Sequence, residues 1–243
     1  MKRTLLWSLW ALIPVAVLAY HFGPGQTLLA RDSASTLLNK AMAAEQAEEW
    51  ASAADLYAQA RSALGEQNPQ ESARLALAEA RARAYDGDLL AASQALEGLL
   101  QQQLEEKTAN TEFIGEVRAE LASTAYATAW AMRLEGAAED EWMPEAEVAR
   151  QQYRLLAESA VARGGANADE LKENLEAVIR FEDLDDSELQ AMKMPKKCDK
   201  CKGGLCQKKR EQRSSKQKPG KPKDARDQIQ KQAGSNEYRP KGS

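Results

Sequence analysis

One histidine and three cysteines are all that 243 residues offer of the side chains that most often hold metals or move protons near neutral pH. The histidine, His21, sits in an apolar N-terminal stretch, so the rest of the chain has none. That removes His-based general acid–base work and the Ser-His and Cys-His arrangements from the body of the protein. No Gly-rich phosphate-binding loop and no Gly-x-Ser-x-Gly elbow occurs. Carboxylates are plentiful, but they fall on the polar faces of helical segments, where a solvated role is the ordinary one. Nothing in the sequence supports an enzyme. β-branched apolar residues are also scarce, with four Ile and six Val, and no strand-length run alternates apolar with polar. Ala and Leu dominate instead, and both are strong helix formers. The expected fold class is all-α.

The charge is unevenly placed. The formal net charge is -4, yet residues 193–243 carry 17 Lys and Arg against 5 Asp and Glu. The excess of acid therefore lies in the first 192 residues. A basic end and an acidic body attract each other or attract different partners. After Cys206 almost no apolar side chain remains, so the tail lacks the means to fold alone.

At the other end, Lys2 and Arg3 precede an uncharged run from Thr4 to Leu29. Its apolar part, Leu5 to Phe22, matches the shortest stretch that spans a bilayer, and Trp7, Trp10 and Tyr20 are residues of the membrane interface. The run reads as a signal anchor, or as a signal peptide cleaved after Val17-Leu18-Ala19. Pro14 suits a spanning helix better than a soluble one. The positive flank sets the N-terminus in the cytoplasm and the rest outside it.

From Ser33 the apolar positions recur at helical spacing. Leu37, Leu38, Ala41, Ala44 and Ala47 form one stripe, and Trp50, Ala53, Ala54, Tyr57, Ala60 and Leu64 the next. Gly65 to Pro69 and Asp86-Gly87-Asp88 are breaks, which predict helices from Gln70 to Tyr85 and from Leu89 to Leu104. Further helices are expected over Thr111 to Leu134, then from Pro144 to Gly164-Gly165, then to Phe181. Gly136 to Trp142 reads as an acidic turn before Pro144, and Asn167 with Glu170 as a capping pair. Trp50, Tyr57, Trp130, Trp142 and Tyr153 stand at helical spacing and read as core.

The spacing of Trp50, Ala53, Tyr57 and Ala60 resembles the second helix of a tetratricopeptide repeat. Ala92, Leu96 and Leu99 repeat it, and Ala149, Tyr153 and Leu156 echo it again. Ala53 to Ala92 is longer than that family's usual period, and Ala and Arg stand at the first-helix positions where the family has Gly and Tyr. The resemblance implies stacked antiparallel helix hairpins and a protein-binding role. With the N-terminal span, the layout is also similar to the repeat proteins of bacterial aerotolerance operons, a membrane-anchored envelope class.

All three cysteines fall in Cys198-Asp199-Lys200-Cys201-Lys202-Gly203-Gly204-Leu205-Cys206. A Cys-x-x-Cys pair, a Gly-Gly turn and a third thiol resemble half of a zinc knuckle, one ligand short of a closed site. Cys198, Cys201 and Cys206 are thus candidate zinc ligands. In an oxidising compartment the same thiols would instead pair, leaving one for an intermolecular bond. Lys196, Lys197, Lys200 and Lys202 favour thiolates there.

The expected organisation is a signal anchor or signal peptide over 1–30, a tetratricopeptide-like domain over 31–192 and a basic tail over 193–243. The expected function is a membrane-anchored scaffold binding another envelope protein, with no cofactor beyond a possible zinc. The alternative is a metal- or redox-linked module acting through the cysteines. An extracytoplasmic tail would meet anionic lipid or envelope polymer. Nucleic acid is disfavoured by that placement and by the lack of interleaved aromatics.

Overall fold

The structure is a computed structural model that describes residues 24–65, 68–106 and 110–191, with Trp10, residues 12–14, Leu18, Tyr20 and Lys197. The chain divides into two units, Met1–Leu205 and Cys206–Ser243, and every described residue lies in the first. All secondary structure among the described residues is helical.

From Pro24 onward the described residues form, in order, α1 (Pro24–Gln46), α2 (Trp50–Leu64), α3 (Pro69–Tyr85), α4 (Leu89–Glu105), α5 (Thr111–Leu134), α6 (Glu139–Arg163), α7 (Ala168–Asp183) and the short α8 (Asp186–Ala191). From α1 to α7 each packs chiefly on the next, and α3 also touches α5. This is a stack of helix pairs in which α1, α3, α5 and α7 make one layer and α2, α4 and α6 the other.

Packing follows the spacing of small and large residues. Ala53, Tyr57 and Ala60 of α2, Ala92, Leu96 and Leu99 of α4, and Ala149, Tyr153 and Leu156 of α6 are all buried. The small Ala side chains let neighbouring helices approach closely, and the larger ones fill the space between pairs. Trp130, Trp142, Tyr57 and Tyr153 are core residues, and Trp50 stacks on Tyr85 with ring centroids 4.6 Å apart.

Three local expectations are corrected. The helix whose apolar stripe was read from Ser33 extends back to Pro24, across the expected boundary at residue 30. Helix α6 begins at Glu139, so Pro144 lies inside it. The first turn carries Glu139, Asp140 and Glu141, which complement the helix dipole. Glu141 also reaches back to accept from the backbone N–H of Ala138 at 3.3 Å. Those interactions start the helix five residues early and tolerate the bond that Pro144 cannot donate. Asn167 does precede α7, but its side chain makes no capping bond. The Asn that caps is Asn110, whose Oδ1 accepts from the N–H of Glu112 at 2.9 Å and of Phe113 at 3.4 Å.

Among the described residues no helix is long and apolar enough to cross a membrane. The run from Leu5 to Phe22 lies mostly outside the described residues.

Candidate functional site: a groove on the odd-helix layer

The odd helices carry two chemically different features, a groove and a polar cluster. The groove lies between α1 and α3. Leu38 and Met42 of α1 face Leu75 and Ala78 of α3, with Tyr57 and Leu64 of α2 as the floor, around a cavity of about 620 Å³. Met42 is 48% exposed. Arg31 and Arg74 stand at the rim with Glu45 and Glu71. Arg31 also donates to Asn68 Oδ1 at 2.8 Å, which ties α1 to the start of α3.

Glu71, Leu75, Ala78, Arg81 and Tyr85 recur every three or four residues and so share one face of α3, with Arg74 beside Leu75. On α1, Arg31, Ser35, Leu38, Met42 and Glu45 do the same. The Tyr57 hydroxyl donates to Glu45 Oε2 at 2.5 Å, which fixes the carboxylate at the end of the groove. Burial, reinforced by that carboxylate, pushes the Tyr57 hydroxyl well above the ordinary tyrosine range, so it stays a donor.

The polar cluster lies between α3 and α5. Glu120 accepts from Arg81 Nε at 3.2 Å on one oxygen, and its other oxygen accepts from Lys197 Nζ. The same ammonium donates to Thr124 Oγ1 at 3.3 Å and lies 5.5 Å from the centre of the Tyr85 ring. Lys197 is buried, at 5% exposure, and Thr124 is fully buried. Burial first, then the Glu120 charge, raises the pKa of Tyr85. A carboxylate oxygen, a hydroxyl oxygen and an aromatic face thus surround the Lys197 ammonium.

Beneath this face Glu79 binds Arg61 at 2.9 Å and Arg83 at 2.8 Å, locking α2 to α3. At the far end, Arg133 donates to the carbonyls of Phe181 and Leu184, each at 2.7 Å, closing the C-terminus of α7.

Of the candidates read from the sequence, Cys198, Cys201 and Cys206 lie outside the described residues. Among the described residues no group of three or more His, Cys, Asp and Glu is placed to hold a metal. Lys197, expected to favour the neighbouring thiolates, has its ammonium committed to Glu120 and Thr124. The sequence offered no sign of that pairing: Lys197 and Glu120 are 77 residues apart. Periodicity reports which residues share a helix face but not which distant residue lands on it. No protein-family model, curated protein or solved structure matches the chain.

Proposed function

We propose that this protein is a non-enzymatic, membrane-anchored scaffold of the bacterial cell envelope, whose tetratricopeptide-like helix pairs bind a partner protein along the odd-helix groove. The observation that carries the proposal is the cavity between α1 and α3. Its walls are apolar, it is wide enough for side chains of a docked segment, and Met42 stands exposed within it. Methionine adapts its shape to varied partners at low strain. Grooves of this kind take an extended or helical segment through a few apolar anchors, while the charged rim sets direction.

The anchor and the extracytoplasmic placement are supported by the Lys2-Arg3 flank and the apolar run behind it. The basic tail suits an anionic lipid or envelope polymer. A photo-crosslinking residue at Met42 should yield a discrete adduct in cells. The same probe at Glu97, exposed on the even helix α4, should yield none. Equal labelling at both positions would sink the groove as the binding surface.

A further inference from the structure

Of the six α1 residues that line the groove, five are symmetric about Leu38. Arg31 and Glu45 stand seven residues either side of it, and Ala34 and Met42 four residues either side. When two copies of one helix pack antiparallel about a twofold axis, residues equally spaced on opposite sides of the axis meet. A second α1 laid on the first with Leu38 on the axis therefore sets each Arg31 against Glu45 of the other copy. It also sets the exposed Met42 against Ala34, a large side chain against a small one. A parallel arrangement would place Arg31 on Arg31 and Glu45 on Glu45, so charge decides the direction. Across the groove Arg31 reaches Asn68, and Leu38 and Leu75 each lie seven residues further on. Leu75 thus joins Leu38 near the axis, and two copies gather four leucines at the centre. On the α3 rim Glu71 and Arg74 carry opposite charge and leave the balance to α1.

We propose that the occupant of the groove is a second copy of this chain, docked through an antiparallel α1–α1 contact centred on Leu38. The proposal rests on the reading of the groove as a protein-binding surface and names its partner. The contact is isologous: every pair occurs twice, the surface is used up, and assembly stops at two. A twofold axis along the membrane normal keeps both N-termini at one height, so anchored chains can pair in this way.

The test uses the full chain in detergent with a reductant, so that thiol bridges play no part. By sedimentation equilibrium the wild type should dimerise. R31E and E45R should each dimerise at least about tenfold more weakly, since each turns two opposite-charge contacts into two like-charge ones. An equimolar mixture of R31E and E45R should form a heterodimer with near wild-type affinity, because each exchanged charge then meets its opposite. R31E loses the bond to Asn68 and E45R the bond from Tyr57, so circular dichroism checks that both stay folded. If either unfolds, Leu38→Cys decides, in a chain with Cys198, Cys201 and Cys206 changed to Ser. Mild oxidation should couple that thiol to its copy, whereas Ser35→Cys, about 9 Å from its own copy along the helices, should couple slowly. A monomeric wild type, an R31E that dimerises as well as wild type, a mixture that binds no better than its components, or equal coupling at the two thiols overturns self-pairing. Crosslinking from Met42 separates this from the reading beneath it. An adduct with a different protein and none with a second copy removes self-pairing and keeps the groove, whereas no adduct removes both.

Discussion

Glu48 and Gly87 occupy the same place in successive helix pairs, and both have left-handed backbone, with φ of 57° and 88°. Each begins the same turn. The N–H of Glu49 donates to Ala44 O at 2.9 Å, and the N–H of Asp88 donates to Arg83 O at 2.9 Å. Gly136, with φ of 75°, starts a third copy in which Ala137 N–H donates to Met132 O at 3.0 Å. This six-to-one bond closes the odd helix and turns the chain into the even one. Three identical turns explain why the pairs stack in register, and only one of the three uses a side chain that the left-handed region penalises.

Glu48→Gly should therefore stabilise the body by about 0.5–1 kcal/mol, since the relief of strain outweighs the added flexibility of the unfolded chain. The reverse change, Gly87→Glu, should destabilise it by about 1 kcal/mol or more. Chemical denaturation followed by circular dichroism reads both. Opposite signs for the two variants are the required outcome, and a loss of stability in Glu48→Gly would contradict the equivalence of the two turns.

Arg133 is the closure of the last pair. Its guanidinium lies 4.6 Å from the Trp142 ring centre and 5.0 Å from that of Phe181, while it donates to two carbonyls at the end of α7. Arg133→Met keeps the stem but removes both charge-assisted bonds and the cation–π contacts. A loss of about 2 kcal/mol is expected, or roughly 4–8 °C in melting temperature for a body of this size. Hydrogen exchange should rise first in α7. Uniform exchange across all helices would mean that Arg133 does not act at that terminus.

The helical plan was legible because the breaks are chemically blunt. Gly65 to Pro69, Asp86-Gly87-Asp88 and Gly164-Gly165 end helices where the structure ends them. The nine small and large residues at repeat spacing are buried because their order fits helix-on-helix packing. The start of α6 was not legible, since a Pro in a first turn is a strong statistical cue that the acidic Glu139-Asp140-Glu141 turn overrides. The candidate site was visible only as stripes. That Met42 is left exposed and Lys197 is taken in are outcomes of tertiary packing, which no local pattern encodes.

Alkaline pH should expose the buried tyrosines. Burial pushes the Tyr153 hydroxyl up to about 12, partly offset by a hydrogen bond with Ser123. In the unfolded chain the group titrates near 10. Between those values the unfolded state releases the proton and the folded state keeps it, so stability is intact below pH 10 and falls as pH rises toward 12. The loss attributable to Tyr153 is about 2–3 kcal/mol. Tyr57 and Tyr85, shifted in the same direction, add to it. Tyr153→Phe should flatten the decline measured by urea titrations from pH 9 to 12. An unchanged slope would assign the alkaline loss to other groups.

The thiols offer the alternative function its trial. Cys198, Cys201 and Cys206 lie within nine residues, and we expect them to act as one unit. Native mass spectrometry on protein taken directly from membranes should show either bound zinc or the loss of two hydrogens, with a covalent dimer on non-reducing gels in the second case. Three freely alkylated thiols without metal would remove the cluster from any account of function.

The remaining prediction concerns placement, on which the choice of partners depends. Lys2 and Arg3 stand before a run without charge to Leu29, and the next charges, Arg31 and Asp32, cancel. Positive charge retained on the cytoplasmic side then sends the body and tail outward. A reporter active only in the periplasm, fused after Ser243, should be active, and a reporter active only in the cytoplasm should be silent. Washing membranes with carbonate should leave an anchored chain in the pellet and release a cleaved one, which separates the two forms of the N-terminus. The opposite reporter pattern would place 17 basic side chains of the tail in the cytoplasm, where nucleic acid, not lipid or envelope polymer, is the abundant polyanion. The envelope scaffold would then fail.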